Sequence, residues 1–136
     1  MRVETIALVA FLILPEFVFA SDASHFNYML HCQGCHLADG SGHEPGVPSI
    51  VDRLGSMLEV PGGRAFLVQV PGTAQAPLND ADVAALLNWV LYQFNVDSLP
   101  ANFEPYTAEE IAEFRLVAVS DIAAERRRIL SVLNSR

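Results

Sequence analysis

Apolar positions along the chain fall into blocks divided by stretches rich in proline and glycine. Residues 6–14 form an unbroken apolar run behind Arg2, closed by Pro15 and Glu16 and followed by Val18-Phe19-Ala20. That layout predicts a secretory signal peptide over residues 1–20, with Ser21 opening the mature chain. The run is well short of the ~20 apolar residues that cross a bilayer, so no membrane span is expected after cleavage. Residues 22–30 predict a short helix carrying Phe26, Tyr28 and Met29. Residues 37–48 predict a loop, because Asp39-Gly40-Ser41-Gly42 is a turn cluster and Pro45, Gly46 and Pro48 follow it. Ser49 is placed to cap a helix over 50–59, which Pro61-Gly62-Gly63 would end. Residues 64–70 suit a short helix or a strand, since Phe66, Val68 and Val70 alternate. After a second loop at 71–78, Asn79 predicts a helix start with Asp80 and Asp82 in its first turn. Val83, Leu86, Leu87, Val90, Leu91 and Phe94 then share one helical face. A linker at 95–106 holds Pro100 and Pro105. From Thr107 a capping box, Thr107-Ala108-Glu109-Glu110, opens one long amphipathic helix. Its stripe is Ile111, Phe114, Val117 or Ala118, Ile122, Ile129 and Leu133. Glu109, Glu110 and Glu113 near its start and Arg126, Arg127 and Arg128 toward its end suit the helix dipole. No strand ladder is convincing, and the expected fold class is all-α.

Composition narrows this further. The chain has 136 residues, a length at which one compact domain is the default. It is 51% hydrophobic and 18% charged, which excludes an intrinsically disordered chain. Sixteen acidic residues face eight basic ones, all arginine, for a formal charge of -8. With no basic stripe, nucleic acid is not an expected partner. The expected organisation is a signal peptide at 1–20, a core domain at 21–98, and a linker with a C-terminal amphipathic helix at 99–136.

The two cysteines give the chemistry. They stand in Cys32-Gln33-Gly34-Cys35-His36, the C-x-x-C-H signature of covalent haem attachment. Thiols one helical turn apart can each add to one of the two vinyl groups of a haem, and the histidine after the second thiol then lies beneath the iron. Gly34 leaves room where the porphyrin edge comes close. Three plainer explanations compete. A thioredoxin-type dithiol needs a strand leading into the motif and a βαβ context. A structural zinc site needs four ligands, and beyond His31 or His43 no second Cys or His pair has finger spacing. A structural disulfide needs only the oxidising compartment that export supplies.

Residues from about 24 to 95 resemble a class I cytochrome c domain. The resemblance rests on C-x-x-C-H, on Tyr28 just ahead of it, on Pro48 twelve residues past His36, and on Trp89 in the last core helix. It implies a small helical domain around one covalently bound haem c, with thioethers at Cys32 and Cys35 and His36 as axial iron ligand. It also implies that the Pro48 carbonyl accepts a hydrogen bond from the other nitrogen of His36. Such a fixed acceptor sets the tautomer of a ligating histidine and strengthens the ligand. Beyond residue 95 no resemblance is evident.

The chain departs from that family at the sixth iron ligand. The loop at 71–78, where a methionine is usual, has none. Met29 lies in the first helix, on the wrong side. Met57 is the candidate ligand, against a packing role, Gln75, a water or an open position. His25, His31 and His43 are expected to be ordinary surface or flanking positions. A methionine would suit electron transfer, whereas an open site would admit small ligands. Peroxide chemistry would further need a distal acid–base group and an arginine, for which Arg53 and Arg64 are available.

The expected function is therefore electron transfer by an exported single-haem protein, as carrier or subunit for a periplasmic dehydrogenase. The alternative is a five-coordinate haem protein that senses small ligands or acts as a weak peroxidase. Expected partners are redox proteins: a donor dehydrogenase, and an acceptor oxidase or another cytochrome. Encounter would be steered by the acidic surface. The C-terminal helix, 107–134, could pack back on the domain or dock a partner.

Overall fold

The structure is a computed structural model that describes residues 17–43 and 45–136. Most of the expected signal segment, residues 1–16, lies outside the described residues. The described residues form helices α1 (Phe17–His31), α2 (Gln33–His36), α3 (Leu54–Met57), α4 (Gly63–Gln69), α5 (Pro71–Ala74), α6 (Asp80–Phe94), α7 (Ala108–Arg115) and α8 (Ile122–Asn134), with a 3-10 turn at Val96–Ser98. The pairing of His43 with Val47 is an isolated bridge. The all-α expectation is met.

The helix expected at 22–30 extends past both of those limits as α1. α6 starts as its sequence demands: the Asn79 side chain accepts from the Asp82 N–H at 2.9 Å. Its expected face is buried at Val83, Leu86, Leu87, Val90 and Leu91. α1 and α6 cross through aromatic contacts, with the Tyr28 ring 5.3 Å from both Trp89 and Phe94.

The helix expected over 50–59 shrinks to the single turn α3. Asp52 turns left-handed at φ 53, which no α-helix accommodates. Asn95, fully buried, then offers its Oδ1 to the Arg53 and Leu54 N–H groups at 2.9 and 2.8 Å. A side chain 41 residues further on thus caps α3, while Ser49 Oγ accepts only from the Val51 N–H. Asn95→Ala leaves two part-buried backbone donors unpaired and is expected to destabilise by about 1–3 kcal/mol. Chemical denaturation measures this, and a change under about 0.5 kcal/mol, typical of surface sites, would refute the cap.

Residues 64–70 resolve as helix, in α4. Its Phe66, Leu67 and Val68 are all buried, so the apparent alternation carried no strand signal. One short turn, α5, stands within the loop expected at 71–78.

The single long C-terminal helix is corrected to two. Thr107 caps α7 as expected, accepting from the Glu110 N–H at 3.3 Å. The chain then breaks at 116–121, and Asp121 caps α8 by accepting from the Ala124 N–H at 2.8 Å. The break folds α8 back, so that Ile111 of α7 and Ile129 of α8 are both fully buried in one core. Arg126, Arg127 and Arg128 consequently sit in mid-helix, and the last turn of α8 has no basic residue. The Glu110 carboxylate leaves the capping box to clasp Arg64 through two bonds of 2.7 and 2.6 Å. The Arg64 guanidinium also lies 4.2 Å over the Tyr106 ring and donates to the Glu104 carbonyl. The stripe considered as a partner-docking surface is therefore spent largely inside the protein, with Leu116 and Val117 left exposed at the break.

Two apolar clusters result. The larger joins Met57, Val60, Phe66, Leu67, Val68, Val83, Leu87 and Leu91 to Tyr106, Ile111 and Ile129 of the C-terminal segment. The smaller gathers Tyr28, Ile50, Leu86 and Val90, with Cys32, Leu54, Leu78, Trp89 and Phe94 packed against it.

Candidate functional site

The Cys32–His36 motif stands where α1 hands over to α2, over the smaller cluster. The Cys35 and His36 N–H groups both donate to the Cys32 carbonyl, at 3.1 and 2.9 Å, which winds the motif into one turn. Cys32 is half-buried, Cys35 is exposed, and both are free thiols. An ideal side chain at Gly34 would meet nothing within 4 Å, so the protein's own packing does not explain this glycine.

Tyr28 anchors the turn from below. It is 1% exposed, and its hydroxyl donates to the Leu37 carbonyl at 2.6 Å. Burial, then the Cys32 and Asp39 charges, pushes its pKa to about 12, so it stays a neutral donor. Leu37 has φ 60 and ψ 172, a region otherwise nearly reserved for glycine. Strain of about 1–3 kcal/mol is thus held in the residue directly after His36, and the Tyr28 hydrogen bond helps hold it.

The 37–50 loop closes against His36. The Gly42 N–H donates to the His36 carbonyl at 3.2 Å, and the Ile50 N–H to the Gly40 carbonyl at 2.9 Å. Gly42 has φ 73, and a Cβ there would lie 2.8 Å from the Pro48 carbonyl oxygen, so glycine is required for that carbonyl to keep its place. His36 Nδ1 is buried without a hydrogen-bond partner. Burial lowers the His36 pKa, and the Pro48 carbonyl opposes that effect. The carbonyl acts on the ring while falling short of full hydrogen-bond geometry.

The dithiol and zinc explanations of the motif lack their context. A helix rather than a strand leads into it. Burial, then the neighbouring Cys35, pushes the Cys32 thiol up to about 11, opposite to the lowered pKa of a reactive dithiol. Among the described residues no three His, Cys, Asp or Glu side chains gather to hold a metal ion. Two unbonded thiols one turn apart, an open flank at Gly34 and an orphaned buried His36 Nδ1 together fit a covalently attached haem.

Other expected residues fall elsewhere. Met57 is 4% exposed and belongs to the larger cluster with Val60 and Phe66, not to the one that takes in Cys32. That placement is the packing role that was weighed for Met57 against iron ligation. Gln75 is exposed. His25 is exposed and stacks on Trp89 at 5.2 Å, His31 is half-buried, and His43 is exposed. Arg64 is engaged by Glu110, and Arg53 is exposed.

Sequence reasoning missed Asn95, the strained Leu37 and Arg115. The Arg115 guanidinium donates to the Ala74, Ala76 and Leu78 carbonyls and to Asp80. Nothing local in the sequence signals these roles, because the partners of Asn95 and Arg115 lie 35 or more residues away.

No family model matches the chain. Among the described residues no helix is long and apolar enough to cross a membrane. The chain is 27% identical to a cytochrome c-552 of Thermus thermophilus, over 90% of this chain and 95% of the relative. It is 26% identical to a second Thermus thermophilus cytochrome c-552, over 72% of this chain and 90% of that relative. A match over nine tenths of the chain cannot stop at residue 95, so the similarity also takes in part of the C-terminal segment. The all-helical fold is consistent with this similarity to two cytochromes c-552.

Proposed function

We propose that the chain is an exported c-type cytochrome that passes single electrons between redox proteins. One haem would be held by thioethers to Cys32 and Cys35, with His36 as axial ligand and the Pro48 carbonyl orienting the His36 ring. The bound group supplies a one-electron iron couple. The protein's part is to fix the imidazole, exclude water with the smaller apolar cluster, and leave the Cys35 side exposed toward a partner. The observation that carries this reading is C-x-x-C-H wound in one turn, with His36 Nδ1 buried and unsatisfied. The similarity to two cytochromes c-552 supports it. A periplasmic dehydrogenase as donor, and an oxidase or another cytochrome as acceptor, suit an exported carrier. The formal charge, -7 once Arg2, Glu4 and Glu16 leave with residues 1–20, would steer encounter toward basic partner surfaces and make it weaken with salt.

A second reading keeps the haem and leaves the sixth position open to small ligands. The burial of Met57 in the other cluster favours it. Of the two arginines that peroxide chemistry could use, Arg64 is bound to Glu110, which leaves the exposed Arg53.

The test is expression in a host with cytochrome maturation. The mature protein is expected to carry the mass of one covalently bound porphyrin and to show a reversible one-electron couple. A chain of bare polypeptide mass overturns the proposal. A high-spin spectrum with rapid carbon monoxide binding selects the second reading, and the charge-transfer band of methionine ligation selects the first.

A further inference from the structure

We propose that Arg115 is a positioning residue that locks the loop over the iron face opposite His36, so that the C-terminal segment controls access to that face. This inference rests on the haem reading above. A planar group tied to Cys32 and Cys35 would turn one face to His36, on whose side the 37–50 loop closes through the Gly42 N–H. Its other face would be left to the remaining side chains that reach the cluster around Cys32. Apart from those of α1, α6 and the 37–50 loop, these are Leu54 and Leu78. Leu78 ends the 71–78 loop, which makes the loop part of the opposite wall.

This loop contains Pro71, Gly72 and Pro77, and its backbone hydrogen bonds are local, from the Thr73 N–H to Val70 through the Leu78 N–H to Ala76, so they do not tie it to another element. Arg115, at the end of α7, supplies what it lacks. Nη1 donates to the Leu78 carbonyl at 3.0 Å and to Asp80 Oδ1 at 2.8 Å. Nη2 donates to the Ala76 carbonyl at 2.9 Å and to the Ala74 carbonyl at 3.2 Å, and Nε reaches Ala74 at 3.3 Å. A rigid planar fork thus binds three alternate carbonyls and the first residue of α6, which a flexible ammonium cannot do. The guanidinium side chain is 20% exposed, so these bonds are partly shielded from water. α7 itself is anchored by the fully buried Ile111 and by the Arg64–Glu110 clasp. The rigidity of α7 therefore passes to the loop through one side chain.

The test compares the haem-loaded wild type with Arg115→Gln and Arg115→Lys. Amide hydrogen exchange reads the loop, and carbon monoxide association with the ferrous protein reads the iron face. Arg115→Gln is expected to speed exchange at residues 73–78 by about tenfold or more relative to α6, as freed local structure does. Carbon monoxide association is expected to change several-fold with it. Arg115→Lys keeps the charge near Asp80 but loses the fork, so it should shift both readouts in the same direction by less. It also serves if the glutamine variant does not fold. A purely structural role would lower global stability and speed exchange in α6 and the loop alike, leaving carbon monoxide association unchanged. That outcome, or a loop whose exchange does not move, overturns the proposal. Wild-type mass, measured first, separates the two failures. A wild type without porphyrin overturns the haem reading and this inference together, whereas a loaded wild type with unmoved variants overturns this inference alone.

Discussion

Changing both Cys32 and Cys35 to alanine is expected to abolish covalent haem attachment completely. Each thioether needs one thiol, and both thiols are free, one turn apart and near an open flank. With neither thiol, only His36 and apolar contact remain to hold the group. It should then leave into acidic organic solvent, and the polypeptide should show its bare mass. Cys35→Ala alone should keep one link through Cys32, since the second vinyl group has no other thiol to meet. Mass spectrometry of the denatured protein decides the matter. A double variant that still carries the porphyrin mass would mean that attachment occurs elsewhere.

The second large effect concerns the C-terminal segment. Removing residues 107–136 is expected to abolish cooperative folding rather than trim an appendage. Ile111 and Ile129 are both fully buried in the main core. Burying an aliphatic side chain of this size contributes about 1.5–3 kcal/mol. Phe114, Ile122, Leu130 and Leu133 add partial burial, and Glu110 adds the clasp on Arg64. Their loss also exposes Met57, Phe66 and Leu87. The sum is comparable with the whole stability of a domain this size, about 5–15 kcal/mol. Thermal unfolding followed by circular dichroism should show no sharp transition in the truncated chain. A truncated protein with a wild-type transition would show that the segment is dispensable, and would restore a partner-docking role for its helices.

The legible parts of this protein were those carried by short spacings. Asn79 with Asp82 is a contact three residues long, and the face from Val83 to Leu91 is a local period, so α6 could be read directly. The same holds for Thr107 with Glu110 and for Cys32 through His36. The helix expected at 50–59 failed because its competitor, Asn95, is distant in sequence. The long C-terminal helix failed for a related reason. Its amphipathic stripe was real, but one straight helix did not place Ile111 and Ile129 in the same core. The break at 116–121 did.

The candidate site divides in the same way. Cys32, Cys35 and His36 are adjacent in the chain, so residue type and spacing alone specified them. Pro48 came from a family resemblance, and its carbonyl opposes the lowering of the His36 pKa by burial. Met57 was a matter of residue type without spacing, and packing took it into the other cluster.

Thus the order of residues alone determined the helical class, the starts of α6 and α7 and the vicinal placing of Cys32, Cys35 and His36. Capping, periodicity and vicinal thiols act over a few bonds. Tertiary structure decided where α3 begins, where the C-terminal helix breaks, and that Arg115 of α7 bonds to the carbonyls of the 71–78 loop. Those outcomes depend on which distant donor, acceptor or apolar side chain arrives first at a shared space. No local pattern records that competition.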